Sequence, residues 1–480
     1  MTRTNERRTV GIDAIAVHVP RLYMDLCGEW ARVRAPELGE ATVEGLVGKV
    51  RKGVGVEQMA IPDAHEDSAT LAAMAAVKVI EQAGIDPRDV GSIAVGTETT
   101  VDQSKSIAAY VLGMLERRFG VDLREAGAPQ FQFACIGATY ALEAAVNSFR
   151  AGEATKPYAL VIATDISKYP LRTSGEYTQG AGAVAMLVSE SPRLVALDPR
   201  VLATITRDER DFFRPNGLST AVVDGKYSID VYLDCIGEAS RLFTKRAREA
   251  LGVTGARIDE IVDDFLFHIP FPRMAEYAAL RVLGEAWRAD PARRQELAVS
   301  CPTVLDDLAV PGNRRAFEKQ LAQDGAFVRL FEQRIAPSLS LSRRIGNIYS
   351  GSMYLGLASL LETAKDREAL KGRRVGFFSY GSGASARVFS GVFVDPASYR
   401  PHVSSLLAPA HEGGVRIPLA IEQYERLHRG PDAGDAPVSL AQPSPSTVTP
   451  RGEFALVRVG TDSGPAKTDV GYRYYDWVAG

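Results

Sequence analysis

The sequence predicts an α/β protein. Apolar, strand-like runs alternate with helix-like stretches from residue 10 to about 190, and the second half of the chain repeats that rhythm. A third observation concerns the strands themselves. The run 158–163 (YALVIA) is continuously apolar, as in strands covered on both faces by helices. The 480 residues leave room for roughly two to four domain-sized units. With 46% apolar and 24% charged residues, the composition is that of an ordinary globular protein.

Taken in order, 10–19 (VGIDAIAVHV) reads as a first strand closed by Pro20, and 30–56 as a helical and loop region ending in glycines. The clearest early helix is 67–82, with hydroxyl residues at its start, apolar residues at three-four spacing and Gly84 beyond its end. Strand 93–96 delivers Glu98, and 106–117 is a further helix. A strand at Phe131 and Phe133 runs into Cys135, followed by helical spacing through Ala141, Leu142, Ala145 and Val146. After the 158–163 strand, 178–188 packs glycines against another. The second half gives helix 229–251, strand 258–267 ending at His268, helix 273–283, helix 353–361 behind Asn347, strand 374–379 and strand 385–395. Similar element order in the two halves predicts internal duplication. The expected domains are 1–190, 191–400 and a C-terminal extension, 401–480. Within the extension lie a Pro/Ser-rich linker (436–450), a short strand at 454–460 and an aromatic end, 472–477, that packs back on the body.

The net charge of −3 is no basic footprint, so a nucleic-acid partner is not expected. The four cysteines, Cys27, Cys135, Cys235 and Cys301, have neither CxxC nor metal-ligand spacing, which suits a reducing cytoplasm and implies no metal. The polar N-terminus has no signal-like apolar stretch, and no run reaches the roughly 18–20 apolar residues of a membrane span.

Several residues could carry chemistry. Cys135 sits where a strand turns into a helix, and a helix N-terminus favours a thiolate, the nucleophile of acyl transfer. The plainer reading is a small buried core cysteine. Glu98 stands at a strand's C-terminal end, where ligands gather in α/β proteins, and burial there raises a carboxyl toward a useful base. The plainer reading is a capping or solvated acid. His268 lies in a strongly apolar segment and reads equally as a core histidine. Asn347 could present its amide to a substrate oxygen or merely occupy a turn. The Tyr380-Gly381-Ser382-Gly383 turn could offer backbone N–H groups to an oxyanion.

Together these segments resemble the 3-hydroxy-3-methylglutaryl-CoA (HMG-CoA) synthase family of thiolase-fold condensing enzymes. The segments are GTETTVDQSKS (96–106), FACIGAT (133–139), VIATDISKY (161–169), TQGAGAVAML (178–187), DFFRPNG (211–217), FHIPFPRM (267–274), RRIGNIYSGSMYLGLASLLE (343–362) and FSYGSG (378–383). The resemblance implies a thiolase-like fold of two βαβαβαββ halves in α-β-α-β-α layers. It implies condensation of acetyl-CoA with acetoacetyl-CoA, an acyltransferase reaction of the mevalonate pathway, with no cofactor, in a homodimer. Cys135 then matches the acylated nucleophile, Glu98 the general acid/base and His268 the histidine that polarises the acceptor. Asn347 matches the acyl-pocket amide and Ser382 an oxyanion donor beside Cys135. Tyr169 and Pro270 match lesser pocket positions.

Two departures stand out. Ile136 follows the nucleophile where the family commonly has an aromatic residue, and Arg273 stands where a lysine that can pair a CoA phosphate often occurs. Two other readings stay open: a polyketide β-branching synthase whose acceptor rides on an acyl carrier protein, and a non-catalytic thiolase-fold scaffold.

Overall fold

The computed structural model describes residues 8–310, 312–431, 440–461 and 469–480. The expected linker at 436–450 therefore begins outside the described residues, as does the N-terminal heptapeptide. The first half runs β1 (Val10–His18), α1 (Ser68–Ala83), β2 (Val90–Gly96), α2 (Ile107–Phe119), β3 (Gln130–Phe131), α3 (Gly137–Ala151), β4 (Tyr158–Ile166) and β5 (Ala181–Glu190). The second runs β6 (Val195–Thr206), α4 (Gly225–Leu251), β7 (Asp264–Phe267), α5 (Pro272–Ala289), α6 (Ser352–Thr363), β8 (Arg374–Gly381) and β9 (Ser385–Phe393).

These nine strands are hydrogen-bonded in the order β7-β8-β9-β6-β1-β5-β4-β2-β3. Numbering each half from its own first strand, the first reads 3-2-4-5-1 inward from its edge and the second 2-3-4-1, which becomes 2-4-5-1 once a place is kept for the first half's third strand. The two first strands meet at the centre through Gly11↔Ala196 and Ile12↔Val195. Duplication is thus written in the strand order. Among the described residues the second copy has no third strand; the interval holds helices Pro291–Ser300, Asn313–Leu321 and Gly325–Arg334, whose Leu297, Phe317, Leu321 and Phe327 join the core around α4 and α5.

Side chains alternate across the strands and so divide the core into layers. Ile93 and Val95 of β2 face α1 and α2, while Ala94 between them faces α3 and α6. Phe377 of β8 joins that central layer, whereas Phe378 faces α4 and α5. The result is an α-β-α-β-α stack with α3 and α6 in the middle. Each fully buried Val, Leu, Ile or Phe in it contributes about 1.5–3 kcal/mol relative to exposure.

The terminal segments are tied to this body. Strand Ile417–Pro418 pairs with Leu22–Asp25, which pairs with Gln58–Ile61. The fully buried Arg34 joins Glu176 and Glu425 at 2.9 and 2.7 Å. The hairpin Glu453–Val459/Arg473–Val478 lays Phe454, Leu456 and Tyr475 on α1. Its Tyr475 hydroxyl and Arg473 both donate to Asp67, the N-cap of α1. One element differs from expectation. Residues 258–267 are a one-turn helix, Ile258–Ile261, and only then the strand, because an acidic Asp259-Glu260 pair at that helix's start favours helix over extended chain. Among the described residues no helix is long and apolar enough to cross a membrane.

Candidate active site

Every candidate except Asn347 and Arg273 stands within four residues beyond the C-terminal end of a strand of the sheet. Glu98 follows β2, Cys135 follows β3, His268 follows β7 and Ser382 follows β8. Close backbone contacts bring these ends together. A Cβ on Gly96 would stand 2.2 Å from the backbone of Ala138, so β2 can abut the start of α3 only as glycine. A Cβ on Gly381 would stand 2.8 Å from the Ile136 nitrogen and 2.7 Å from its Cγ2, so the end of β8 lies against the residue after the cysteine. This accounts for Ile136: its side chain is fully buried against the second half. Ala134 has φ of 38°, the left-handed region that non-glycine residues seldom occupy, and this sharp turn sets the direction of Cys135.

The Cys135 Sγ donates to Glu98 Oε2 at 3.6 Å. Burial, reinforced by the Asp165 charge, pushes the Glu98 carboxyl up to about 8, although Arg214 and the thiol pull the other way. Burial and the facing Glu98 raise the Cys135 thiol well above its ordinary value. This corrects the expectation of a helix-stabilised thiolate. Helix α3 begins two residues later, at Gly137, and at Sγ desolvation plus a carboxyl outweigh its dipole. At Cys135 burial and the facing carboxyl favour the protonated thiol.

Asp165, which the sequence analysis did not single out, organises the Glu98 loop. Its Oδ1 accepts from the Glu98 and Thr99 backbone N–H groups at 2.9 and 3.0 Å and from the Thr97 and Thr99 hydroxyls at 2.9 Å each. Its Oδ2 accepts from the backbone and hydroxyl of Ser350. The signal was visible: an acid ending a strand of apolar residues. Asp211 does the same for the second half. It accepts from the Gly383 N–H at 2.9 Å, the Tyr380 hydroxyl at 3.1 Å and the Ser228 hydroxyl at 2.9 Å, fixing the turn that carries Ser382. Three residues on, Arg214 donates to the Glu98 carbonyl, so one short segment fastens loops from both halves.

Tyr169, Tyr349 and Phe212 form an edge-to-face aromatic wall with centroids 6.0–6.5 Å apart, against which Cys135 packs. Asn347 is buried, and its Oδ1 accepts from the Tyr349 N–H and the Ser352 hydroxyl, so of its amide only the NH2 is left to donate to a further group. His268 is 2% exposed, and burial lowers its imidazole to about 3. Its backbone is held by Phe378 and Tyr232, and Tyr232 meets Tyr380 edge to face in turn. Among the described residues neither ring nitrogen is hydrogen-bonded, and neither are the Cys135 and Ser382 backbone N–H groups. Pro270 is half-buried beside His268. Arg273 is not drawn into this cluster: it is exposed on the first turn of α5, paired with Glu276 at 2.6 Å.

A cysteine facing a buried carboxyl, where two copies of one strand order meet, defines a thiolase-like acyltransferase. The comparisons narrow this. Family models described as hydroxymethylglutaryl-coenzyme A synthase N terminal and C terminal match residues 6–192 and 195–425. The hydroxymethylglutaryl-CoA synthase of Haloferax volcanii is 34% identical over 390 residues, 79% of this chain and 83% of that protein. The Enterococcus faecalis enzyme is 34% identical over 421 residues, 87% and 91% of the two chains. Among solved structures, MvaS in complex with 3-hydroxy-3-methylglutaryl coenzyme A superposes with a TM-score of 0.78 at 34% identity, covering 98% of this chain and 99% of that one. The chain belongs to the hydroxymethylglutaryl-CoA synthase family.

Proposed function

We propose that this protein condenses acetyl-CoA with acetoacetyl-CoA to give HMG-CoA and CoA, with Cys135 as acetyl carrier. The observation that carries the reading is the Cys135–Glu98 contact at 3.6 Å, with Glu98 buried and Cys135 half-buried at the junction of the two halves. The Sγ proton passes to the ionised form of Glu98, whose share grows as pH rises toward about 8, as sulfur attacks the acetyl carbonyl, and Glu98 returns it to the departing CoA thiolate. Glu98 then takes a proton from the acetyl methyl, while the free N–H groups of Cys135 and Ser382 hold the enolate oxygen. The carbanion equivalent adds to the ketone carbon of acetoacetyl-CoA. His268, kept neutral by burial, donates an N–H to the ketone oxygen as it gains charge. Asn347 orients the acyl group, and Tyr169 and Pro270 shape the pocket. Water cleaves the Cys135 thioester. Acid–base and acyl steps complete this sequence, so it calls on no redox cofactor or catalytic metal. Arg273, exposed at the start of α5, is assigned to a CoA phosphate, which it could meet by leaving Glu276.

The acceptor is assigned as CoA-bound because the 34%-identical neighbour was solved with HMG-CoA. The 23%-identical curacin-pathway synthase, solved with a donor carrier protein, shares only the fold. We assign the protein to the mevalonate pathway and to a reducing, cytoplasmic setting, consistent with four free cysteines. The catalytic halves are 1–190 and 191–400, followed by the 401–480 extension. We propose a homodimer: Phe213 and Val222, paired on a two-stranded ribbon and both exposed, present apolar side chains that a second copy can cover. Parallel turnover with acetoacetyl-CoA and with acetoacetyl-carrier protein tests the assignment. HMG-CoA formation should dominate; turnover confined to the carrier substrate would move the protein to the β-branching class, and none with either would leave a scaffold.

A further inference from the structure

The last step of the condensation creates a charge that the site does not hold before. The acyl group on Cys135 is a neutral thioester until water adds to its carbonyl carbon. The C–S bond then breaks. One proton of the water reaches the leaving sulfur through Glu98 and restores the thiol, and the acid formed gives its own proton to solvent. An uncharged acyl group has become a carboxylate, beside Sγ and facing Glu98. An ionised Glu98, whose carboxyl lies 3.6 Å from Sγ, repels it. A cation is therefore useful there at this step and at no earlier one.

The short segment 211–214 supplies one. Asp211 fixes the Ser382 turn, and Phe212 belongs to the aromatic wall against Cys135. Arg214 follows on the same run. It is half-buried, and its guanidinium donates to the Glu98 carbonyl. Glu98 is thus met at both ends, by Sγ at its carboxyl and by Arg214 at its carbonyl. Among the described residues that carbonyl is the sole hydrogen-bond partner of Arg214, and no carboxylate stands within ion-pair distance of it. The positive charge is uncompensated, and the planar fork keeps donors for a bidentate carboxylate. The other candidate donors at the site differ. His268 is kept neutral by burial, and Arg273 is paired with Glu276 on α5.

We propose, resting on the condensation reading above, that Arg214 receives the carboxylate released when water cleaves the Cys135 thioester, and so selects for a product that bears a free carboxylate. The contact arises only as the acyl carbon gains its second oxygen, so it favours the hydrolytic transition state over the acyl-enzyme.

The test compares, by calorimetry, the affinity for HMG-CoA with that for its analogue carrying a carboxamide in place of the free carboxylate. Wild type, Arg214→Met and Arg214→Lys are measured, each with a native circular-dichroism spectrum. Both ligands share the CoA and acyl contacts, so their ratio cancels general damage to the pocket. Wild type should prefer HMG-CoA by ~10–100-fold, the worth of a hydrogen bond between charged groups. Arg214→Met should erase the preference, and Arg214→Lys should keep part of it. During turnover, intact mass spectrometry should show the HMG-CoA thioester of Cys135 accumulating in Arg214→Met and not in the wild type. A wild-type ratio near one, or a ratio unaltered in Arg214→Met, would overturn the inference and leave the condensation reading standing. Failure of the wild type to form HMG-CoA from acetyl-CoA and acetoacetyl-CoA would defeat that reading and the inference with it.

Discussion

Replacing Glu98 with glutamine should abolish condensation and at the same time change how stability depends on pH. Glu98 is 5% exposed, and its carboxyl is pushed up to about 8 by burial and by Asp165. An ordinary unfolded glutamate titrates near 4.5. A folded value above the unfolded one means that the fold prefers the protonated form. The contribution is therefore complete below about pH 4.5 and is lost as pH rises through about 8. The rise from 4.5 to about 8, at 1.36 kcal/mol per pH unit, corresponds to a full loss of about 5 kcal/mol once pH is well above 8. Glutamine imitates the protonated acid and removes the loss. Urea unfolding of both proteins at pH 5 and pH 8.5 reads the difference, because other buried groups titrate equally in each. The Cys135 thiol, raised above its ordinary value, stays protonated over this range. The wild type should fall relative to Glu98→Gln by several kcal/mol between the two pH values. Parallel pH dependence in the two proteins would refute the account of a carboxyl held protonated by burial.

Other outcomes follow from the same geometry. Asp165→Asn replaces one carboxylate oxygen by a donor group facing donors; it should cost about 3 kcal/mol of stability, lower the pH midpoint at which Glu98 works, and cut acetylation strongly, as read by pH–rate profiles. Gly381→Ala places a methyl within 2.8 Å of Ile136 and should lower the acetylation rate at least tenfold while circular dichroism stays native. Cys135 should react with iodoacetamide at pH 7 more slowly than a cysteine of ordinary acidity and accelerate as pH rises, measured by peptide mass spectrometry.

The parts legible in the sequence were those set by local pattern. Helix 67–82 differs from Ser68–Ala83 by one residue at each end, because its cap, apolar spacing and terminal glycine all lie within it. Strand β5 and the two halves' shared order could also be read, since alternation and glycine spacing are short-range signals. The roles of buried charges could not. Asp165 bonds to residues 66–68 positions before it and to Ser350, 185 positions after, and Arg34 meets Glu425 across 391 positions. The thiol's state is non-local for the same reason. Helix proximity is visible locally, whereas the carboxyl that outweighs it arrives from a different strand. Residues 258–261 became a helical turn because a run of Ile and Val reads the same in either element until the acids at its start are weighed.

The central claim is that Cys135 carries the acetyl group, and mass spectrometry of the protein mixed with acetyl-CoA alone tests it most directly. The account predicts one acetyl adduct, on the peptide containing Cys135, absent from Cys135→Ser. An adduct on Cys27, Cys235 or Cys301, or HMG-CoA formation undiminished in Cys135→Ser, would contradict it.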